Sequence, residues 1–249
     1  MKIVVMMSRV NYVPENYKSL LDACLQVTGI EVVGLLLVNN CSPGVVFQGL
    51  GLMLMGAPRV GFALLKNSLL RDPKIALAHR AQIPLLRTRN PNSETTLTWL
   101  HQIQPDLILH MRTRCILGNA FLKIPRLACV NIHHGLLPET RGTLCDLRLL
   151  VAGHRGGFSL HRMVEKVDKG EVYSRTEVAD AGECKKNYET YLRLSTDSEA
   201  RVVKEFLKNG VKTGQLPRPL SPSIENQGQW FRTPGYAEIR AWRKAGWKL

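Results

Sequence analysis

The apolar run Ile3 to Met7 shows no polar alternation, and a helically spaced segment separates it from a second candidate strand, Ile30 to Val38. Such runs are typical of parallel strands that are covered on both faces. Pro14 is expected to begin the intervening helix and Gly29 to end it. The helical face would hold Tyr17, Leu20, Leu21, Cys24 and Leu25. A right-handed βαβ unit follows from this order, which places the chain in the α/β class.

The same alternation continues to about residue 178. Helices are expected at 73–82, around Leu97, Leu100 and Ile103, at 117–122 and at 143–151. Strands are expected at 84–86, 106–110, 127–133, 157–164 and 171–178. This order predicts a doubly wound, mostly parallel sheet of the Rossmann-like α/β type.

The rest of the chain follows another pattern. A long helix is predicted from Tyr188 to Leu207, with Gly210 placed to cap it. The Pro- and Ser-rich segment from Gly214 to Ser223 is expected to run extended before a basic, aromatic tail. We therefore divide the chain into a main domain, residues 1–185, and a short C-terminal helical extension, residues 186–249.

The charge balance is strongly basic, with 34 Lys and Arg against 20 Asp and Glu and a formal net charge of +14. Clustered cations attract phosphates and carboxylates, so nucleic acid, nucleotides and polyglutamylated folate are all candidate partners. A solvated basic surface explains the same excess, because the cations are spread along the chain. Charge alone leaves the partner open.

Several features favour a cytoplasmic protein. The six cysteines form no CxxC pair, and several lie in apolar runs, as reduced, buried cysteines do. The first apolar run gives way at once to the polar Ser8 to Asn11, so no long signal region is expected. Val45 to Met55 contains two glycines and is shorter than the roughly 20 residues that cross a bilayer. We expect no membrane partner.

The candidate chemistry lies at two strand ends. Asn131 and His133 share one face of the strand 127–133, whose carboxyl end is where open α/β sheets bind ligands. Thirty-five residues after His133, the next apolar strand is expected to deliver Asp168 to the same edge. Asn can donate to a developing oxyanion, His can exchange a proton, and Asp can orient the His or accept a proton. The three side chains suit acyl transfer, although each alone is more often structural.

These residues lie in stretches of sequence that resemble the folate-dependent formyltransferases. The matching stretches are NIHHGLLPETRG at 131–142 and GGFSLHRMVEKVDKGEVY at 156–173, preceded by QPDLIL at 104–109 and CIL at 115–117. The family pattern is an N-x-H strand end, an SLLPxxRG-like loop and a strand closing on D-x-G. The resemblance is strong over residues 75–178 and limited to the fold pattern over the first 40.

The resemblance implies a formyl transfer that uses 10-formyltetrahydrofolate as donor cosubstrate, without a metal. Asn131 and His133 would polarise the formyl carbonyl, while Asp168 would position His133 or relay the amine proton. Residues carried over as borders of the folate pocket are Cys115, Ile116, Leu117, Leu137, Glu165 and Val167. Arg9, Asn11 and Tyr12 are placed by fold analogy where an acceptor would bind.

Some positions depart from the family pattern. His134 stands where an uncharged residue is usual, and Gly135 replaces the common Ser. Met111 to Arg114 is more basic than usual, through Arg112 and Arg114. We expect these changes to affect the entrance of the folate pocket.

The acceptor is expected to be an amino sugar or another small amine, in some cases anionic. The Ser8 to Tyr12 loop lacks the Gly- and Ser-rich phosphate loop of glycinamide ribonucleotide enzymes, and the segment after Gly214 is too short for a tRNA-binding β-domain. A tail helix over 234–245 is expected to dock its aromatics on the main domain with its cations in solvent. Nucleic-acid binding through this tail and a homodimer both stay open.

Other functions fit parts of the sequence. A 10-formyltetrahydrofolate hydrolase would release formate without an acceptor, and a methionyl-tRNA formyltransferase-like enzyme would use tRNA. A non-catalytic RNA- or folate-binding protein would explain the charge but not the intact Asn131, His133 and Asp168. Peripheral membrane docking through Val45 to Leu65 rests only on the apolar character of that segment.

Overall fold

The computed structural model describes residues 1–113, 115–221 and 228–249. The expectations for Arg114, and for Pro222 and Ser223 at the end of the Pro- and Ser-rich segment, fall outside these residues.

The strands are β1 (Lys2–Ser8), β2 (Glu31–Val38), β3 (Leu85–Thr88), β4 (Leu107–Met111), β5 (Ala128–His133), β6 (Thr140–Gly142), β7 (Gly156–Arg162), β8 (Val172–Ala179) and β9 (Gln229–Phe231). The helices are α1 (Lys18–Leu25), α2 (Pro43–Met55), α3 (Pro58–Leu69), α4 (Pro73–Arg80), α5 (Glu94–Ile103), α6 (Asn119–Leu122), α7 (Cys145–Val151), α8 (Tyr188–Thr213) and α9 (Tyr236–Lys244).

Seven strands form the main sheet in the order β3-β2-β1-β4-β5-β7-β8. The pairs from β3 to β5 are all parallel, whereas β7 is antiparallel to both β5 and β8. β6 and β9 form a separate parallel pair. This arrangement confirms the mostly parallel, doubly wound fold class.

The central strand β1 is buried on both faces, as its unbroken apolar run predicts. Ile3, Val5 and Met7 join a cluster with side chains of α1, α4 and α8. Val4 and Met6 point the other way, into a cluster with side chains of α5 and α6. Each fully buried side chain of this size stabilises the fold by about 1.5–3 kcal/mol relative to an exposed one. The sheet is therefore a rigid platform for its carboxyl edge.

A 3-10 helix, Pro14–Tyr17, begins at Pro14 as expected, and α1 follows it at Lys18, so the segment is not one continuous α-helix. Glu15, Asn16 and Tyr17 have positive φ values of 51°, 51° and 68°, so they form a tight turn. The Asn16 side chain stabilises this turn by donating to the Arg9 carbonyl at 2.6 Å and accepting from the Asn11 backbone amide at 3.1 Å. The turn directs Tyr17 into the protein interior.

A helical hairpin, α2 and α3, occupies residues for which no helix was predicted from the sequence. α2 contains no charged residue and is apolar nearly all round, so the 3.6-residue periodicity of an amphipathic helix is absent. The two helices pack closely, since a Cβ atom at Gly61 would lie 2.4 Å from the carbonyl oxygen of Gly49. No helix within the described ranges combines the length and apolar character that crossing a membrane requires.

The C-terminal helices pack onto the rest of the chain. α8 contributes Val203, Phe206 and Leu207 to the same cluster as β1. Trp242 of α9 and the following Trp247 are buried in a second cluster, together with residues of α7 and α8. Trp230 and Tyr236 are exposed. The division of the chain at residue 185 stays a prediction.

Candidate functional site

The carboxyl ends of β4 and β5 bring polar side chains together in a buried environment. His110 on β4 lies opposite Asn131 on β5 in the parallel ladder, and His161 on β7 pairs with Asn131 from the other side. His110, His133 and His161 are all buried. Asn131 and His133 were predicted from the sequence as site residues, whereas His110 and His161 were not.

A directed chain of hydrogen bonds runs through Asn131. The Thr113 hydroxyl donates to Nε2 of His110, whose Nδ1–H donates to Oδ1 of Asn131 at 2.6 Å. Nδ2 of Asn131 donates to Nε2 of His161 at 3.0 Å, and Nδ1 of His161 donates to the Arg162 carbonyl at 2.9 Å. A neutral imidazole has one donor and one acceptor, so these partners fix the direction of every bond. These hydrogen bonds use one of the two N–H bonds of the Asn131 amide. Because they also fix the plane of the amide, they fix the direction of the second N–H bond.

Burial keeps the imidazoles of His110 and His161 neutral. Desolvation lowers the pKa of His110 below its ordinary value of 6.5. Desolvation likewise lowers the pKa of His161 to about 4, although the nearby Asp168 carboxylate opposes the shift. Near neutral pH each ring therefore keeps one donor and one acceptor, as the hydrogen-bond chain requires.

His133 lies between a carbonyl and a carboxylate. Nε2 donates to the Thr140 carbonyl at 2.8 Å, and Nδ1 is 3.5 Å from Oδ2 of Asp168. Oδ1 of Asp168 is 3.6 Å from Nε2 of His161, so one carboxylate faces both rings. His133 is thus oriented by the Thr140 carbonyl, with Nδ1 directed at Asp168.

Asp168 reaches the site by a different route from the one predicted. β7 is antiparallel to β5 and ends at Arg162, which lies opposite Val130. The end of β7 therefore points away from the carboxyl edge of β5, and the expectation that a strand delivers Asp168 directly to this edge was wrong. The loop 163–171 turns back instead, with Asp168 at a φ of 53°. The backbone amide of Gly142 donates to its Oδ2 at 3.4 Å.

Acid is expected to destabilise the protein through its buried histidines. The pKa values of His110, His134 and His161 are all lowered, mainly by burial, so the unfolded chain binds protons that the folded chain resists. The free energy of unfolding should therefore fall as the pH drops from about 6.5 towards 4. In denaturant titrations across this range, His161→Gln should reduce the pH slope by up to about 1.4 kcal/mol per pH unit. A slope that is the same in both proteins would contradict the assigned neutral state of His161.

A second buried polar cluster lies beside His133 and centres on Glu199 of α8. The Glu199 carboxylate accepts hydrogen bonds from the hydroxyls of Tyr17 and Ser195, the latter at 2.6 Å. Its Oε1 is 3.3 Å from Nε2 of His134 and 3.9 Å from Nη2 of Arg112. Glu199 is fully buried. We call Tyr17, Arg112, His134, Ser195 and Glu199 the Glu199 cluster.

The Glu199 cluster holds a buried ion pair between Glu199 and Arg112. Burial alone would raise the pKa of Glu199, but His134, Arg112 and Ser195 outweigh it and bring the pKa to about 2. The guanidinium of Arg112 also lies over the rings of Tyr12 and Tyr17, at 5.8 Å and 5.5 Å from their centroids. The unusual Arg112 and His134 thus contact a buried carboxylate, which the sequence analysis did not identify.

The small residue at position 135 follows from the packing around His133. A Cβ atom at Gly135 would lie 2.5 Å from Cβ of Cys145 and 2.9 Å from Nε2 of His133. The Ser that is common at this position in the family pattern would therefore displace either the α7 residue Cys145 or the His133 ring.

The six residues that the family resemblance places at the border of the folate pocket differ in how deeply they are buried. Leu117 and Leu137 are buried in separate clusters, Leu137 against Val172. Cys115 is half-buried, with Sγ 2.9 Å from the Thr113 hydroxyl that begins the hydrogen-bond chain. Ile116, Glu165 and Val167 are exposed, and Ile116 has 73% of its surface accessible. These three are the exposed members of the set.

The three acceptor residues have separate surroundings. The Asn11 side chain is used locally, because Oδ1 accepts from the Val13 amide and Nδ2 donates to the Asn16 carbonyl. The Arg9 carbonyl accepts from Asn16, while its side chain is half-buried. Tyr12 alone is connected to the polar interior, since its hydroxyl accepts from Arg112 at 3.4 Å.

Sequence reasoning missed His110, Thr113, His161 and Glu199. His161 lies in the quoted GGFSLHR stretch, one residue before the end of the apolar strand β7, and this position was an available signal. His110 ends another apolar strand, and Thr113 follows it. Glu199 gave no signal, because a Glu within a long helix is ordinarily solvent-exposed. Within the described ranges, no group of three or more His, Cys, Asp and Glu is arranged to hold a metal ion.

The doubly wound sheet and the polar site at its carboxyl edge define an α/β protein of the Rossmann-like class. The chain belongs to the formyl transferase family, since the family model described as Formyl transferase matches residues 1–199. It is 30% identical over 148 residues to a methionyl-tRNA formyltransferase of Thermotoga maritima, which covers 58% of this chain and 45% of that protein. The chain spans less than half the length of the curated relatives it matches.

Solved structures share the fold at low sequence identity. Glycinamide ribonucleotide transformylase 1 from Symbiobacterium toebii has a TM-score of 0.60 and 18% identity, with 91% of this chain and 94% of that chain covered. The formyltransferase PseJ from Anoxybacillus kamchatkensis has a TM-score of 0.52 and 17% identity, covering 72% and 90%. PseJ was crystallised with a nucleotide-linked formamido sugar and tetrahydrofolate. At these identities the likeness concerns the fold alone.

Proposed function

We propose that this protein transfers the formyl group of 10-formyltetrahydrofolate to the amine of a small acceptor, such as an amino sugar. The observation that carries the proposal is the fixed Asn131 amide beside the contact between His133 and Asp168. One N–H bond of Asn131 and an Nδ1 proton of His133 can stabilise a single developing oxyanion. Family membership supports the donor.

The proposed reaction is a direct acyl transfer. The amine lone pair attacks the formyl carbon, and the C=O electrons move onto oxygen, where Asn131 and His133 donate hydrogen bonds. Asp168 accepts the proton that the attacking nitrogen loses. The C=O bond then re-forms, the bond from carbon to N10 breaks, and N10 takes up the proton that Asp168 had accepted. The products are the formamide and tetrahydrofolate, and the enzyme is unchanged.

Donor binding gives the first test of this proposal. Calorimetric titration with a stable 10-formyltetrahydrofolate analogue should show one site per chain. Ile116→Ser is the better pocket variant than changes at Leu117 or Leu137, because Ile116 is exposed whereas the two leucines lie in the core. We expect weaker binding by Ile116→Ser and unchanged binding by Leu194→Ser, which alters an exposed leucine on α8. A well-folded wild type that does not bind the analogue would reject the proposal.

Methionyl-tRNA is the second candidate acceptor, because the matched Thermotoga relative carries that name and this chain is basic. Assays with a nucleotide-linked amino sugar, a free amino sugar and methionyl-tRNA, each with the same donor, distinguish a small-amine acceptor from a tRNA acceptor. Transfer only to tRNA, weakened strongly by salt, would replace the small-amine proposal. Formate released without any acceptor would identify a hydrolase instead.

His110 is expected to act as a positioning residue through Asn131. His110→Leu removes the donor to Oδ1 of Asn131, so the amide can rotate and kcat should fall by about tenfold to a hundredfold, with a smaller change in KM for the donor. His110→Asn keeps an N–H close to the position of Nδ1 and should recover most of the rate. Steady-state kinetics of the three proteins decide this. Equal kcat values for His110→Leu and the wild type would show that His110 does not position Asn131 for catalysis.

A further inference from the structure

The hairpin of α2 and α3 exposes large apolar side chains that no described part of the chain covers. On α2, Phe47, Leu50 and Leu54 lie three and four residues apart and form one stripe, with Phe47 69% and Leu54 89% exposed. On α3, Phe62 and Leu69 share a face and are 61% and 75% exposed. Contiguous exposed apolar surface of this kind marks an interaction site.

The same hairpin carries only positive charge. No Asp or Glu occurs between Glu31 and Asp72, whereas Arg59, Lys66 and Arg71 do. Arg59 pairs with Glu189 of α8 at 3.2 Å. In the described part of the chain, Lys66 and Arg71 have no acidic partner. Lys66 lies four residues after Phe62 and three before Leu69, on the exposed apolar stripe itself.

More cations lie beside the hairpin. Arg243 of α9 packs against the turn between α2 and α3, because a Cβ atom at Gly56 would lie 2.1 Å from its Nη1. Arg240 and Lys244 on the same helix are exposed. The apolar stripes are thus accompanied by positive charge on both the hairpin and α9.

We propose that the hairpin docks on the surface of an anionic lipid bilayer. Apolar side chains enter the boundary between headgroups and acyl chains, while Lys66, Arg71 and the α9 cations contact lipid phosphates. The hairpin lies on the surface and does not span it, since both helices are shorter than the roughly 20 residues required. Binding through this face is independent of formyl transfer.

The charge and the apolar character of the hairpin argue against a second copy of the chain and against a nucleic acid as the occupant of this face. A second copy packed symmetrically would bring the same cations of two hairpins together without any acid on either hairpin, and such like-charge contacts are costly. A nucleic acid would match the charge but not the stripe of Phe and Leu, because its surface is polar phosphate. An anionic bilayer matches both properties.

Docking would place the membrane next to the acceptor side of the site. Nδ2 of Asn67, on α3, donates to the Asn11 carbonyl at 2.7 Å. The loop that holds Asn11 and Tyr12 is therefore attached directly to the docking hairpin.

Vesicle co-sedimentation of the full chain tests the proposal. We expect the protein to pellet with vesicles of phosphatidylcholine and phosphatidylglycerol, and much less with phosphatidylcholine alone. The double variant Lys66→Gln with Arg71→Gln should lower the partition coefficient by about thirtyfold. Phe47→Ser with Leu54→Ser should lower it at least as much, because both side chains leave the apolar contact.

Two matched variants act as controls. Leu220→Ser changes an equally exposed leucine that lies beside β8, and Lys212→Gln changes an exposed lysine at the end of α8. Both should bind vesicles as the wild type does, and circular dichroism confirms that every variant is folded. Sedimentation without lipid would overturn the proposal if it shows a dimer that Phe47→Ser dissociates while vesicles are not bound. Equal binding to neutral and anionic vesicles, or no binding to either, would also overturn it.

Discussion

Asp168→Asn is expected to lower kcat for formyl transfer by about a thousandfold, within the range that positioned acid–base groups contribute. The change removes the charge that faces Nδ1 of His133 at 3.5 Å and Nε2 of His161 at 3.6 Å. The amide neither accepts the amine proton nor stabilises a proton on His133. Donor affinity should change little, so the loss appears in kcat and not in KM.

A matched control separates this loss from a general effect of charge. Glu177→Gln changes an exposed carboxylate on β8, where it forms a surface ion pair with Arg155 at 3.5 Å. Its kcat should equal that of the wild type. If Asp168→Asn retains most of the wild-type kcat while binding the donor, Asp168 is not the proton acceptor and the mechanism must be revised.

Glu199→Gln is expected to cause the largest loss of stability, about 3–5 kcal/mol, because it leaves the buried Arg112 guanidinium without its nearest carboxylate and with only the more distant Asp146 as counter-charge. Arg112 lies 3.9 Å from Glu199, and its Nε and Nη2 atoms have no hydrogen-bond partner. The variant keeps the size of the side chain, so packing is preserved. Urea unfolding of the variant and the wild type measures the difference.

The control is on the same helix. Glu205→Gln removes a carboxylate that pairs with Lys208 at the surface and should change stability by less than about 1 kcal/mol. The pKa of about 2 for Glu199 lies below its ordinary value of 4.5, so its contribution is complete above 4.5 and is lost as the pH falls through 2. A Glu199→Gln protein as stable as the wild type at pH 7 would show that this ion pair is not needed for folding.

Most of the sheet could be predicted from the sequence. Strands covered on both faces, such as β1 and β4, are short runs of buried apolar residues, and these patterns are local. Asn131 and His133 share a face of one strand, so their proximity also follows from local geometry.

The remaining features depend on contacts between distant residues. The direction of β7 is set by its pairing with β5, which an apolar run does not reveal, and the route of Asp168 depends on that direction. α2 lacks amphipathic periodicity because its outward face is apolar as well. Glu199 is 65 residues from His134 in the sequence, and only the packing of α8 against the site joins them.

The most direct test is a single-turnover reaction in which 10-formyltetrahydrofolate with an isotopically labelled formyl group is mixed with the protein and an amino-sugar acceptor. We expect the label to appear in a formamide with release of one equivalent of tetrahydrofolate. With His133→Ala, we expect the label to stay on the donor. Label that remains on the donor with the well-folded wild type and each of the three acceptors, or transfer that His133→Ala leaves unchanged, would contradict these expectations.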